Sequence, residues 1–260
     1  MFETLLMERD SRGVATVTLN RPQKHNAMSA QMIRELSQAA ADLATDAEVR
    51  VVVLTGAGKS FCAGADLGWM QSQVESSAET RRAEARALAL MLRAWNDLPK
   101  PVIGAIPGNA FGGGVGLVAI CDIAIAAETA LMALTETRLG LIPATIGPYV
   151  VAKLGEAQAR RVILSARKFE APEAVRMNLL SHAVSRDSLS AAVEAEVSLL
   201  LDCAPQAVAS AKKMIRELSV KHDDTVMSRT IDALIDCWEG GEAAEGIRAF
   251  FAKERPSWQT

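Results

Sequence analysis

Aromatic side chains are scarce in this 260-residue chain, at 4% with a single tyrosine, and no long run of one charge occurs. Few aromatics leave little on which bases could stack. With 28 basic against 31 acidic residues and a net charge of -3, a nucleic-acid backbone is not favoured as a partner. The four cysteines (Cys62, Cys121, Cys203, Cys237) form no CxxC pair. The three histidines (His25, His182, His222) are scattered, so no zinc motif arises. Reduced, mostly buried thiols in a cytoplasmic protein are expected. The first ten residues, MFETLLMERD, carry acids and an arginine, unlike a secretory leader. The longest uncharged run, from Pro101 to Cys121, approaches membrane-spanning length but holds six glycines and two prolines. It reads as buried strand, loop and helix, and no membrane partner is expected.

What is present is the material of a large packed domain. Half the residues are hydrophobic and 23% are charged, which excludes disorder, and a chain this long needs no disulfide staple. Strand-like runs at Thr4–Glu8 and Val14–Leu19 flank Asp10-Ser11-Arg12-Gly13, which is turn chemistry, so an opening hairpin is predicted. Ser29 is placed to cap a helix with Met32, Leu36, Ala40 and Leu43 on one face. The β-branched run from Arg50 to Thr55 fits a strand buried on both faces. A longer helix follows, with Leu88, Met91, Leu92 and Trp95 inside, Arg81, Arg82 and Glu84 outside, and Pro99 and Pro101 as its stop. Val102–Ile106, Asp122–Ala127 and Leu131–Ala133 read as further strands, with a short apolar helix opening at Gly112-Gly113-Gly114. From Ala144 the pattern is helical almost to the end, with Val193, Val197, Leu200 and Leu201 on one stripe. The simplest division is an α/β core over residues 1-195 and a helical region over 196-260.

Three segments break the local rules of strand and helix, as functional sites tend to do. In Ser60-Phe-Cys-Ala-Gly-Ala-Asp-Leu67, the small residues Ala63, Gly64 and Ala65 would let a ligand approach backbone N–H groups. The plainer reading is a tight turn with Asp66 as a helix cap. Gly112–Gly114 at a helix mouth is either an anion-binding turn or close packing. It fits neither GxGxxG nor a P-loop. In Leu134-Thr-Glu136-Thr-Arg138, a glutamate sits in an apolar stretch. Burial there would raise its pKa and make it an acid/base, unless it pairs with Arg138 or lies in a surface turn.

Taken together, five blocks resemble the crotonase superfamily, the enoyl-CoA hydratases and isomerases. They are VATVTLNRPQKHNAMS, VRVVVLTGAGKSFCAGADL, PVIGAIPGNAFGGGVGLVAICDIAIA, TETRLGLIPA and EGIRAFFAKERPSW, in that order along the chain. The resemblance implies a crotonase-like ββα spiral core with a helical C-terminal trimerisation region, assembled as a homotrimer or a hexamer. It implies an acyl-CoA thioester as substrate, with no further cofactor and no metal. By position, Ala63 and Gly113 match the two oxyanion-hole donors and Glu136 the acid/base. Lys24–Ala27 and Ala63–Leu67 (Gly64, Ala65, Asp66 and Leu67 included) match the segments holding the adenine end of CoA. Gly113 and Gly116 fall within the acyl site.

Hydratases of the family commonly carry a second glutamate three residues beyond the oxyanion glycine, where this chain has Gly116. Loss of one of two carboxylates weakens simple hydration. An isomerase needs only one base. The stretches ADLGWM and RLGLIPATIGPYVV look most like bacterial hydratases of branched, carboxylated enoyl-CoAs such as methylglutaconyl-CoA in leucine breakdown. A hydratase is therefore the leading expectation and an isomerase the runner-up. An idle acyl-CoA binder is a third option, and thioester hydrolysis could use the same oxyanion site. Trp69 and Met70 read as ordinary core rather than acyl-pocket wall, Tyr149 as a possible water-orienting group, and Lys253 as solvated rather than phosphate-bound.

Overall fold

The computed structural model describes residues 2–219 and 223–259, so His222 lies outside the described residues. The chain opens with β1 (Leu5–Arg9) and β2 (Val14–Leu19), an antiparallel hairpin. Asp10 makes its turn, accepting the N–H groups of Arg12 and Val14, while Gly13 supplies a φ of 84°. Helix α1 (Ala30–Thr45) starts at Ser29, whose hydroxyl accepts the N–H of Met32. It buries Met32, Leu36, Ala40 and Leu43.

From there the chain runs as a spiral of strand, strand and helix. Strands β3 (Val51–Gly56) and β4 (Ser60–Cys62) precede α2 (Leu67–Glu75) and α3 (Ala78–Asn96). Strands β5 (Val102–Ile106) and β6 (Asn109–Phe111) precede α4 (Gly113–Ala119). Strands β7 (Ile123–Ala127) and β8 (Leu131–Ala133) precede a 3-10 turn over Glu136–Leu139 and then α5 (Gly147–Ile163). In each turn the first strand joins a six-stranded sheet, β1-β2-β3-β5-β7-β10. The second joins a four-stranded sheet, β4-β6-β8-β9. Strands β2, β3, β5, β7 and β10 run parallel, so crossovers of this kind are required.

Alternation along β3 explains why it is buried on both faces. Val52 and Leu54 enter the main core, whereas Val51 and Val53 join Ile103 and Ile125 on the other side. That other side is covered by α7 (Leu189–Leu201), through Leu189, Val193 and Val197. The division at residue 195 drawn from sequence falls inside this helix.

Two strands were not anticipated in the stretch after Ala144. Between β8 and α7 the chain forms β9 (Phe169–Glu170), α6 (Ala171–Arg176) and β10 (His182–Val184). β10 completes the large sheet beside β7. Strands of two or three residues are too short to display a period of two. The last elements are α8 (Pro205–Leu218), α9 (Asp224–Glu239) and α10 (Glu242–Ala252). α9 sets Met227, Ile231 and Ile235 against Ala85 and Ala89 of α3. Among the described residues, no helix is long and apolar enough to cross a membrane. Cys62 and Cys121 are buried as expected, whereas Cys203 is exposed.

Candidate active site

A cavity of about 650 Å³ opens where the spiral meets α9 and α10. Its lining draws together the three rule-breaking segments of the sequence: Ala63–Ala65, Gly112–Gly113 and Thr135–Glu136. Close backbone approach makes this possible. A Cβ on Gly64, which has φ 93°, would lie 2.9 Å from the Phe111 carbonyl oxygen, and a Cβ on Gly112 would lie 3.0 Å from Glu136 Oε1. Glycine at both positions lets the carboxyl of Glu136 reach the mouth of α4.

Glu136 sits in the 3-10 turn after β8. Its Oε2 is sealed from water without a hydrogen-bond partner. Burial pushes its carboxyl up to about 7, against a weaker opposing pull from the backbone of Glu136 and Thr135. It is neither paired with Arg138 nor part of an open surface turn. Arg138 also lines the cavity but is exposed, and it makes no ion pair among the described residues. Helix α10 lies directly against this turn. A Cβ on Gly140 would lie 2.4 Å from the backbone of Glu242, and one on Gly246 would lie 2.7 Å from the backbone of Leu139. Helix and turn therefore pack backbone against backbone.

The expected oxyanion donors fare differently. Gly113 is the first residue of α4, and its N–H meets no acceptor among the described residues. Ala63 is corrected: its N–H donates to the His25 carbonyl at 2.9 Å and is not available to a ligand. The pairing of the two segments explains why. Met28 N–H donates to Gly64 O, and Asp66 N–H donates to Met28 O, so Ala65 is bridged to Met28 in parallel fashion. Ala65 then turns its own N–H away from that neighbour, and no described group accepts it.

The segments matched to the adenine end of CoA lie side by side through these bonds. Of their residues Gly64, Ala65 and Leu67 line the cavity, whereas Lys24, Ala27 and Asp66 do not. Asp66 is structural: it caps α2 and pairs with Arg21 at 2.9 Å. Burial pushes its carboxyl up, but Arg21 and the cap N–H groups outweigh that and hold it below the usual carboxylate range. Gly116 is also corrected. It is buried in α4 and does not reach the cavity, because Ile146 stands against it.

Trp69 and Met70 were read as core, and both line the cavity. The Trp69 indole is fixed by a 3.1 Å hydrogen bond to Glu84. Arg81, expected outside, is turned inward and donates to the carbonyls of Gln73 and Val74. Tyr149 lines a separate cavity and is not part of the one that holds Glu136. Lys253 ends α10 in a left-handed conformation and borders the cavity. Sequence reasoning missed Gln73, Leu234 and Trp238, which also belong to the lining. For Leu234 and Trp238 the only signal was an apolar helix face, which looks the same whether it meets core or ligand.

Residues 9–260 match the enoyl-CoA hydratase/isomerase family. An enoyl-CoA hydratase of Alternaria alternata is 38% identical over 242 residues, covering 92% of this chain and 78% of that protein. A short-chain-enoyl-CoA hydratase of Clostridium acetobutylicum is 31% identical over 260 residues, covering 98% and 97%. The crystal structure of an enoyl-CoA hydratase from Mycobacterium avium superimposes with a TM-score of 0.89 at 33% identity, covering 100% of both chains.

Proposed function

The chain belongs to the enoyl-CoA hydratase/isomerase family, and from that premise we propose that it adds water across the double bond of a branched or carboxylated enoyl-CoA. The observation that carries this reading is the Glu136 carboxyl, held near neutrality by burial and unpartnered at Oε2 within the cavity. A group with a pKa of about 7 is present in both protonation states at neutral pH and serves equally as base and acid.

In this mechanism the thioester carbonyl oxygen accepts the N–H groups of Ala65 and Gly113. Water attacks the β-carbon as Glu136 takes one of its protons. The electron pair of the double bond moves through the α-carbon onto the carbonyl oxygen as an enolate. Glu136 then returns the proton to the α-carbon, so one water is added and the carboxyl is restored. Each well-placed backbone donor contributes on the order of 3 kcal/mol to holding the enolate. The CoA portion runs along the paired segments around residues 24–28 and 63–67. Exposed Leu199, Met214, Ile215 and Leu218 offer the apolar surface that a homotrimer or a hexamer would cover.

A second reading, double-bond isomerisation, is favoured by one specific observation. Ile146 occupies the side of α4 where a second carboxylate would stand, and a proton relay between two carbons needs a single base. Incubation of straight-chain, branched and carboxylated enoyl-CoAs in ¹⁸O-water, followed by mass spectrometry, separates the two. One labelled oxygen gained on a branched or carboxylated substrate is the expected result. Double-bond migration without label would make the enzyme an isomerase.

A further inference from the structure

The cavity wall formed by α2 and α3 contains a polar pair in otherwise apolar surroundings. Gln73 is only 5% exposed and lines the cavity, yet its side-chain amide makes no hydrogen bond among the described residues. Beside it lies Arg81, whose Nε donates to the Gln73 carbonyl at 2.8 Å. Two further bonds, to Val74 O and to Glu239, hold the guanidinium over the Trp238 ring, 4.9 Å from its centroid. Three of the five N–H donors of Arg81 are thereby used and two remain. The paired Glu239 is more than half exposed, so this charge is offset mainly from the solvent side.

The Gln73 amide is open to solvent through the cavity; a wholly apolar acyl tail would bury it there without a partner, which costs stability. A carboxylate would accept from both the Gln73 amide and a spare Arg81 N–H, in surroundings where charged hydrogen bonds are strong. The helical rise puts Gln73 about 9 Å along α2 from Leu67, away from the end of the helix that adjoins Ala65. We infer that Gln73 and Arg81 form a specificity site for a carboxylate carried on the acyl group, remote from the thioester. This rests on the cavity being an acyl-CoA site, and it names the residues that would select an anionic acyl group.

Binding of unreactive, saturated probes tests it. The affinities of glutaryl-CoA and of its methyl ester are measured calorimetrically with the wild type, Q73L, Q73E and R138A. The expected result is at least tenfold tighter binding of glutaryl-CoA by the wild type. Q73L should lose most of that preference while keeping its affinity for the ester. Q73E should reverse the preference by like-charge repulsion. No preference in the wild type, or an unchanged preference in Q73L, would overturn the inference. So would loss of preference in R138A alone, which would move the carboxylate to the cavity rim. Because the probes do not react, the outcomes remain separable. A preference that depends on Gln73, in an enzyme that hydrates no enoyl-CoA, would sink the proposed reaction and leave this site standing. Hydration of neutral enoyl-CoAs without any preference would do the reverse.

Discussion

Ile146 stands where a side chain on Gly116 would begin: its Cγ2 lies 2.2 Å from the position of a Cβ there, and its Cβ lies 2.8 Å away. The first residue after Gly116 that could yield is therefore a branched core side chain that is only 2% exposed. Gly116 and Ile146 are packed as a pair, so a larger side chain at 116 requires a smaller one at 146.

Gly116→Glu alone is accordingly expected to overpack the core, at a cost of about 1–3 kcal/mol or more, and to lower the thermal midpoint by several degrees. It should not raise the hydration rate. Combining it with Ile146→Gly should recover part of the stability. Calorimetry of the single and double variants checks this, and an unaltered midpoint in G116E would contradict the packing.

Glu136→Gln should lower turnover by about 10²–10⁴-fold while stabilising the fold at alkaline pH. The carboxyl has its pKa raised from 4.5 to about 7 in the folded protein. Its contribution is thus fully present below pH 4.5 and is lost as pH rises through 7. The variant escapes that loss, which is on the order of 3 kcal/mol at pH 8. Denaturation at pH 4 and pH 8 should show a gain only at the higher pH. The wild-type rate should rise with pH through about 7, following ionisation of the same group.

Backbone chemistry separates Ala63 from Ala65. Exchanging the Ala65 N–H for an ester oxygen by semisynthesis should cut kcat about 10²–10³-fold with little change in stability. The same exchange at residue 63 removes the bond to His25, should cost about 1 kcal/mol of stability, and should leave the rate nearly intact. If the two phenotypes were swapped, the donor assigned here would be the wrong one.

Glu35 governs acid stability away from the site. Burial pushes its carboxyl up. The Thr4 hydroxyl, the Gln31 amide and the backbone N–H groups of Glu3 and Thr4 outweigh that and hold it at about 2. Its contribution, on the order of 3 kcal/mol, is present above pH 4.5 and lost as pH falls toward 2. Glu35→Ala should therefore be destabilised at pH 7 and show a flatter acid-denaturation profile.

Much of the spiral could be read from the chain because β3 and β5 are long, β-branched and bounded by glycine or proline. α1 announces itself through Ser29 and a regular apolar stripe. β9 and β10 were invisible because pairing, not composition, makes them strands. Within the site, Glu136 was legible as a carboxylate in an apolar stretch. The choice between Ala63 and Ala65 was not, since small residues two apart differ only in which way their N–H points once Met28 lies alongside. Trp69, Met70 and Arg81 were misplaced for a related reason: a helix pattern says which face is covered, not whether protein or substrate covers it.

The packing of α10 on the Glu136 turn sets an order of events in time. Gly113 and Glu136 are synthesised, and their strands can pair, long before residues 242–252 leave the ribosome. Until that helix docks, the turn lacks the backbone packing made at Gly140 and Gly246. The Glu136 turn therefore reaches its final packing only after residues 242–252 have been made.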